Sequence, residues 1–204
     1  MNQMWVIVMI SSFPLKIGCI HFIGIGGIGM SGIAEILLKS GYSIQGSDLI
    51  ETKITKRLRD LGGKIFIGHD KSQVLNANLV VCSSAIDKKN TEILMAKKLS
   101  IPIVHRSEML GELMRLKQSI AIAGTHGKTT TTSLISKIFE QNNMDPTIIN
   151  GGIISSLASN AKLGEGNWMV VEADESDGSF SQLMPTIAVV TNIDLERMDY
   201  HKSE

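Results

Sequence analysis

The sequence predicts an α/β protein in which a Rossmann-like parallel sheet is followed by a P-loop-type α/β unit. Two observations support this prediction. Short apolar runs alternate with segments of helical spacing from Ile17 onward, which is typical of parallel strands joined by helical crossovers. In addition, a glycine-rich loop follows an apolar run twice, first after residue 23 and again after Ala123.

The composition is that of an ordinary soluble globular chain. Hydrophobic residues make up 43% of the 204 residues, and 20 basic side chains balance 20 acidic ones. This balance predicts neither a nucleic-acid partner nor a membrane partner. Cys19 and Cys82 both lie in apolar runs, which favours buried thiols over a disulfide and agrees with a reducing cytoplasm.

Residues 1–16 are interpreted as an N-terminal extension before the first strand. Their apolar stretch, Met4–Ile10, is too short to span a bilayer, and it lacks both a basic segment and a small-residue cleavage site. No other stretch of the sequence approaches the length of a membrane-spanning helix. We therefore expect a cytoplasmic protein.

The first unit opens with a strand over residues 17–23, a glycine loop and a helix that starts near Ile33. A short strand over residues 42–45 then leads into Ser47 and Asp48. Glycines in such a loop permit a tight turn and the close approach of phosphate, and an acid after the second strand can accept hydrogen bonds from a sugar hydroxyl. The pattern fits NAD, FAD or a nucleotide sugar equally well, and Asp48 could also be a solvated turn carboxylate.

The same alternation continues through this unit, which we place at residues 17–105 with a connector helix at 106–117. Helices are predicted at 53–61, 70–76, 90–99 and 107–116, and strands at 64–67, 79–82 and 101–104. Ser83 and Ser84 directly follow one of these strands. Open α/β sheets bind ligands at the carboxyl ends of their strands, so both serines are candidate ligand contacts.

The second unit, residues 118–204, is organised around the loop Gly124–Thr130. An apolar strand ends at Ala123, two glycines bracket the turn, and Lys128 precedes four threonines that open a helix. In nucleotide-binding loops the backbone amides hold phosphate oxygens, the lysine neutralises them and a hydroxyl reaches Mg²⁺. The strict pattern needs glycine where this chain has Ile122, so an ordinary glycine turn with an exposed lysine is the alternative.

Three further strands are predicted in the second unit, at residues 147–153, 167–172 and 187–193. Glu172 ends the second of them and opens an acidic cluster that also contains Asp174, Glu175 and Asp177. Mg²⁺ in nucleotide sites takes one or two carboxylates together with phosphate oxygens and water, so Glu172 is the candidate metal ligand. The other acids could equally form a solvated turn.

These segments together resemble the Mur ligases, which extend the peptidoglycan precursor. The resemblance runs from Ile17 to the C-terminus. It is carried, in order, by Gly24–Gly32, Gly46–Asp48, Ser83–Ile86, His105–Leu110, Gly124–Thr132, Glu172–Phe180 and Asn192–Asp194. No single segment is specific, but their combination and order are.

The resemblance implies an ATP-dependent ligation through an acyl phosphate, with UDP-N-acetylmuramate and L-alanine as substrates. ATP would be bound by Gly124, Thr125, His126, Gly127, Lys128, Thr129 and Thr130. Lys128 and Glu172 would be catalytic, and Thr129 and Glu172 would hold Mg²⁺. The UDP-sugar would be bound by Gly24, Gly26, Gly27, Gly29, Ser47, Asp48, Ser83 and Ser84.

Two features depart from the family. Its members carry a metal-holding histidine after Asn192–Asp194, where this chain has Arg197, and a guanidinium stays protonated with no lone pair to offer. Family members also continue through the rest of the ATP-binding domain and a C-terminal domain. The second unit is therefore expected to be incomplete. We predict that this chain binds the sugar nucleotide but does not ligate alone, and a separate chain could carry the missing domain.

Two other functions compete with this interpretation. An NAD(P)-dependent oxidoreductase would explain the Gly24–Gly29 loop and Asp48, but it leaves the Gly124–Thr130 loop and Glu172 without a role. A non-catalytic nucleotide-binding remnant of a ligase would explain Arg197 and the short length.

Overall fold

The computed structural model describes residues 17–154, 159–173 and 183–194. Within them, two five-stranded sheets follow one another along the chain. The first sheet contains β1 (Ile20–Ile23), β2 (Ile44–Asp48), β3 (Lys64–Ile67), β4 (Leu79–Cys82) and β5 (Ile103–His105). Its helices are α1 (Ile28–Lys39), α2 (Lys53–Asp60), α3 (Thr91–Lys98) and α4 (Arg106–Met114). The second sheet contains β6 (Gln118–Ala123), β7 (Thr147–Ile154), β8 (Ser159–Lys162), β9 (Trp168–Glu172) and β10 (Ile187–Val190), with α5 at Lys128–Gln141.

The order and direction of the strands confirm the α/β prediction. The first sheet is parallel throughout, in the order β3-β2-β1-β4-β5. Strands β2 and β3 therefore lie on one side of β1, and β4 and β5 lie on its other side. Such a switch opens a crevice at the carboxyl ends of the two strands, where α/β proteins bind ligands.

The second sheet has the order β10-β6-β9-β7-β8 and is parallel except for β8. The register sets Ile122 of β6 opposite Glu172 of β9, and Ala123 opposite Val190 of β10. The loop that leaves β6 therefore lies between the ends of these two neighbouring strands.

Sequence reasoning missed strand β8. It reads Ser-Asn-Ala-Lys, without apolar alternation or β-branched residues, so no local signal marks it as a strand. It forms because it pairs antiparallel with β7 and packs its buried residues Ser159, Asn160 and Ala161 beneath α1. The formation of β8 therefore depends on tertiary packing and not on a local sequence preference.

Several element boundaries also differ from prediction. α1 begins at Ile28 and not near Ile33, and β2 continues through Asp48. The segment at 70–76 forms only a short 3-10 turn, Lys71–Val74.

Gly32 lies within α1 although glycine is unfavourable inside helices. The position has no room for a larger residue, because a Cβ on Gly32 would lie only 2.9 Å from Nδ2 of Asn160. Close packing between the two sheets' layers outweighs the local preference.

Helix α1 joins the two sheets into one hydrophobic core. Its apolar side chains pack on the first sheet, and the same cluster continues into Ile149, Ala161 and Val171 of the second. Helix α4, predicted as a connector, belongs to this core as well, since Met109, Leu110, Leu113 and Met114 are all buried in it.

Polar contacts accompany this packing. The Asn160 side chain donates to the carbonyl of Ile28 at 2.6 Å, and the Ser159 hydroxyl donates to Glu35 Oε2 at 2.7 Å. Glu35 is only 2% exposed. Burial alone would raise its pKa, but hydrogen bonds from Arg57, Lys39 and Ser159 outweigh burial and hold the pKa below its ordinary value. A charged, hydrogen-bonded carboxylate therefore lies at the junction.

Cys19 and Cys82 are free thiols, and both are half-buried, so the predicted burial is only partial. Burial is the main cause that raises the pKa of the Cys82 thiol.

Among the helices that the structure describes, none combines the length and apolar character needed to cross a membrane. The N-terminal extension, residues 1–16, lies outside the described residues.

Candidate functional site

The loop after β6 turns sharply on two glycines. Gly124 has φ +124° and Gly127 has φ +80°, a region that side-chain-bearing residues rarely adopt. A Cβ on Gly124 would also lie 2.8 Å from the backbone carbonyl of Asn192. Helix α5 begins directly after Gly127, so Lys128 and the following threonines form its first turn. Their amides face the loop, as a phosphate site requires.

The residues after β10 hold this loop in place. The amide of His126 donates to Oδ1 of Asn192 at 2.9 Å, and the carbonyl of His126 accepts from the Thr191 hydroxyl at 2.6 Å. The amide of Asp194 donates to the Thr125 hydroxyl at 3.0 Å. His126 is thus fixed through its backbone, which agrees with a positional role for this residue.

Lys128 folds back over the loop that precedes it. Its Nζ donates to the carbonyls of Gly124 at 2.5 Å and Thr125 at 3.3 Å. These contacts keep the ammonium group at the rim of the turn. A cation in this position can neutralise phosphate oxygens that rest on the loop amides.

Thr129 and Glu172, predicted as a metal-binding pair, lie next to each other. The Thr129 hydroxyl donates to Oε1 of Glu172 at 3.1 Å, and the amide of Gly151 donates to Oε2 of the same carboxylate at 2.7 Å. The register between β6 and β9 is what brings Glu172 to the loop. The glycine-rich exit of β7 supplies Gly151, a contact that sequence reasoning did not identify.

A cavity of about 530 Å³ lies between the two halves of the chain. The first half lines it with Ile28, Gly29, Arg106 and Leu110, and the second half with residues 125–130, Ile149–Gly151 and Glu172. The first turns of α1 and α5 therefore open into one space. Arg106 is the main residue here to which sequence reasoning gave no role, although it lies inside a segment that carried the family resemblance.

The glycine loop after β1 satisfies most of its own amides. Those of Gly24 and Ile25 donate to the carbonyl of Ser47 at 2.8 and 3.0 Å. The amide of Gly26 donates to Oδ2 of Asp48 at 2.8 Å, and that of Gly27 to the carbonyl of Gly24 at 3.1 Å. Asp48 therefore supports the loop from below, in addition to any contact with a ligand.

The Ser47 side chain lies in the interior of the protein, and its predicted contact with the sugar nucleotide stays a prediction. Its hydroxyl is fully buried and donates to Oε2 of Glu92 at 2.6 Å. The reason is that β2 extends to Asp48, so Ser47 is a strand residue that points into the protein and not a loop residue. Ser47 reaches the glycine loop only through its carbonyl.

Ser83 and Ser84 lie in the turn after β4, at the same edge of the first sheet as the glycine loop. Ser83 is half-buried and Ser84 is exposed. Ile86 from this turn packs against Gly24, where a Cβ would lie 3.0 Å from Cδ1 of Ile86. Neither serine lines the cavity between the halves, so their contact with a UDP-sugar stays a prediction.

A buried polar cluster beneath the glycine loop was also missed. Glu92 has no exposed surface, and its carboxylate contacts Nε2 of His21 at 3.2 Å and Nδ1 of His69 at 2.8 Å besides the Ser47 hydroxyl. Burial would raise the pKa of Glu92, but contacts with His21, Ser47 and His69 outweigh it and lower the pKa. Glu92 thus ties β1, β2 and the segment after β3 together below the ligand edge.

The remaining predicted residues lie outside the described part of the chain. These are Asp174, Glu175 and Asp177 of the acidic cluster, and Arg197. Within residues 17–154, 159–173 and 183–194, no group of three or more His, Cys, Asp or Glu side chains is arranged to hold a metal ion.

Two family models match this chain. One, described as the catalytic domain of the Mur ligase family, matches residues 19–118. The other, described as the Mur ligase middle domain, matches residues 122–204. The chain belongs to the Mur ligase family. The first model contains the glycine loop and Arg106, and the second contains the Gly124–Thr130 loop and Glu172.

Named relatives of this Mur ligase chain include UDP-N-acetylmuramate–L-alanine ligases from Xanthobacter autotrophicus and Acidiphilium cryptum. They are 56% identical over 190 residues and 59% identical over 189 residues, respectively. Each alignment covers 93% of this chain but only 40% of the relative, so the chain spans well under half the length of these proteins.

Solved structures of Mur ligases share the fold of this chain. A crystal structure of UDP-N-acetylmuramate–alanine ligase from Thermotoga maritima matches with a TM-score of 0.84 at 34% identity, covering 91% of this chain and 44% of that one. The UDP-N-acetylmuramate:L-alanyl-γ-D-glutamyl-meso-diaminopimelate ligase from Neisseria meningitides matches with a TM-score of 0.82 at 26% identity, covering 91% and 63%.

Proposed function

We propose that this chain is the sugar-nucleotide-binding and phosphate-binding part of a cytoplasmic UDP-N-acetylmuramate–L-alanine ligase. The observation that carries the proposal is the cavity between the halves. It joins the first turn of α1 to a loop that presents Lys128, Thr129 and Glu172. A ligase that transfers phosphate to a sugar-linked carboxylate needs both substrates to meet in one enclosed space. The names of the relatives supply the substrates.

In the proposed reaction, ATP lies on the Gly124–Thr130 loop. A carboxylate oxygen of UDP-N-acetylmuramate attacks the γ-phosphorus, the bond to the bridging oxygen breaks, and ADP leaves. The amine of L-alanine then attacks the acyl carbon, loses a proton and displaces phosphate. Phosphoryl transfer of this kind depends mainly on positioning and on neutralising charge. Lys128 and the amides at the start of α5 would do this for the phosphate oxygens.

The residues present fit a magnesium ion. The Thr129 hydroxyl and the Glu172 carboxylate are hard oxygen ligands whose oxygens lie 3.1 Å apart at the end of the phosphate loop. One carboxylate and one hydroxyl match the small number of protein ligands that Mg²⁺ takes beside a nucleotide. We infer that these two residues would hold it, and that the ion would neutralise charge on the phosphate chain.

Exchanging Glu172 for glutamine tests the metal assignment. The amide keeps the shape of the side chain and can still accept from Thr129, but it removes the charge that favours the ion. Mg²⁺ should tighten ATP binding to the wild-type chain, and this tightening should fall by about tenfold in Glu172→Gln. Titration calorimetry with and without EDTA measures it, and the exposed Glu165→Gln is the control. An unchanged magnesium effect in Glu172→Gln would remove Glu172 from the metal site.

The direct test of the proposed function is a binding comparison on the 204-residue chain. We expect UDP-N-acetylmuramate and ATP to bind and NADH not to bind. With L-alanine and Mg²⁺ added, no steady phosphate release is expected from this chain alone, because the relatives are more than twice its length. Tight binding of NADH without binding of the UDP-sugar would contradict the proposal and favour an oxidoreductase.

A further inference from the structure

Two side chains directly after β10 hold one residue of the Gly124–Thr130 loop. Nδ2 of Asn192 donates to the carbonyl of His126 at 3.1 Å, while Oδ1 of Asn192 accepts from the amide of His126 at 2.9 Å. The Thr191 hydroxyl donates to the same carbonyl at 2.6 Å. One side-chain amide thus pairs with both backbone groups of His126, and a hydroxyl adds a third contact. Rotation of the peptide groups on either side of His126 would break at least one of these hydrogen bonds.

The pairing of β10 with β6 explains why these side chains reach the loop. Val190, the last residue of β10, lies opposite Ala123, the last residue of β6. The amide of Thr191 extends this ladder by donating to the carbonyl of Ala123 at 2.9 Å. The two segments leave the sheet so close together that a Cβ on Gly124 would collide with Thr191 and with Asn192. The sheet itself therefore places both side chains against the loop.

Asn192 adds little to the packing of the protein core. Its side chain is exposed, and both hydrogen bonds of its amide go to the backbone of His126. His126 directly precedes Gly127, which has φ +80°, and the start of α5. The peptide groups of His126 therefore set the direction in which the chain enters the helix and the loop presents its amides. Contacts of this kind affect the shape of the loop more than the stability of the fold.

We propose that Asn192 is a positioning residue for ATP, which acts through His126 to hold the Gly124–Thr130 loop in its phosphate-binding shape, with Thr191 as its partner. The proposal rests on the proposed function, because it takes this loop to be the site of the ATP phosphates. Loop amides that are already oriented need not be ordered when ATP binds, so the affinity is higher. Neither Asn192 nor Thr191 is among the described residues that line the cavity, so both act on the ligand through the loop.

The test uses Asn192→Ala in the 204-residue chain and titration calorimetry with ATP and with inorganic triphosphate. Both should bind about tenfold more weakly than to the wild type, because two hydrogen bonds that order the loop are lost. UDP-N-acetylmuramate should bind as it does to the wild type. Asn142→Ala is the matched control, since Asn142 is also exposed and its side chain donates to a backbone carbonyl, that of Ile138 at 2.8 Å, at the other end of α5. This control should leave every affinity unchanged.

Two further measurements separate positioning of the loop from a general loss of structure. The melting temperature of Asn192→Ala should stay close to that of the wild type, because the side chain is exposed. The amide proton of His126 should exchange faster with solvent in Asn192→Ala, because its acceptor has been removed. Amide exchange followed by NMR measures this change, and the amides of β6 and β9 should exchange as they do in the wild type.

Substitutions of Thr191 test the second contact with His126. Valine keeps the shape of the side chain but removes the hydroxyl that donates to the carbonyls of Ala123 and His126. ATP should therefore bind Thr191→Val about threefold to tenfold more weakly. Serine retains the hydroxyl, so Thr191→Ser should bind ATP as the wild type does.

Undiminished binding of ATP and triphosphate to Asn192→Ala would overturn the inference and leave the proposed function intact. Equal losses for ATP and UDP-N-acetylmuramate, together with a fall in melting temperature, would also overturn the inference, because Asn192 would then support the fold as a whole. An unchanged exchange rate at His126 would count against it in the same way. A wild-type chain that binds neither ATP nor triphosphate would instead overturn both the inference and the ATP site of the proposed function.

Discussion

Replacing Lys128 with alanine should weaken ATP binding to this chain by about a hundredfold, the upper range for loss of a charged hydrogen-bond partner. Two effects add. The variant loses the cation that faces the phosphate oxygens. It also loses the contacts by which Nζ holds the carbonyls of Gly124 and Thr125, so the loop amides are less well ordered for the ligand. Titration calorimetry with ATP measures the change.

Lys137→Ala is the matched control, since Lys137 lies on the same helix α5 but is exposed and pairs only loosely with Glu140 at 3.8 Å. Its ATP affinity should equal that of the wild type. UDP-N-acetylmuramate should bind Lys128→Ala normally, because Lys128 lines the cavity from the second half of the chain and the first glycine loop belongs to the first half. If Lys128→Ala and Lys137→Ala bound ATP equally well, the Gly124–Thr130 loop would be an ordinary turn.

Replacing Glu92 with alanine is expected to lower the free energy of unfolding by about 3 kcal/mol, as for other buried charged groups that lose a partner. The variant removes the buried carboxylate that accepts from the Ser47 hydroxyl and contacts Nε2 of His21, while the Ser47 hydroxyl keeps its contact with Nδ1 of His69. At this chain length the melting temperature should fall by roughly 6–12 °C. Glu112→Ala, on an exposed glutamate of α4 that pairs with Arg115, should cost well under 1 kcal/mol.

The carboxylate of Glu92 also predicts that the free energy of unfolding depends on pH. Because the folded pKa of Glu92 lies below its ordinary value of 4.5, its stabilising contribution is present above about pH 4.5 and is lost as the pH falls through the folded pKa. The difference in unfolding free energy between the wild type and Glu92→Gln should therefore shrink in acid. Urea denaturation at neutral pH and near pH 4 measures it, and a difference that grows below pH 4.5 would contradict the assignment.

The sequence allowed the two glycine loops to be predicted because their signals are local. A strand, a glycine turn and a following helix can be identified within a dozen residues, as in Gly24–Gly29 and Gly124–Thr130. The proximity of Glu172 to Thr129 could also be anticipated, since parallel neighbours end at the same edge of a sheet.

The remaining features depend on contacts between distant segments, and these leave no local trace. Strand β8 is polar and forms only by pairing with β7. Arg106 reaches the cavity because α4 packs beside α1, and Glu92 serves three separate segments at once. Ser47 was assigned to the sugar nucleotide by the family resemblance, and the sequence did not show that β2 continues through Asp48 and buries the Ser47 side chain.

Helix α1 packs on β7 and β8 as well as on its own sheet, so the stability of the first sheet depends in part on the second. Cutting the chain after the first sheet would leave Glu35 without the Ser159 hydroxyl and the Ile28 carbonyl without Asn160. It would also expose the apolar surface that now meets Ile149 and Ala161. We therefore expect the first sheet to be less stable when it is expressed without the second than it is within the whole chain.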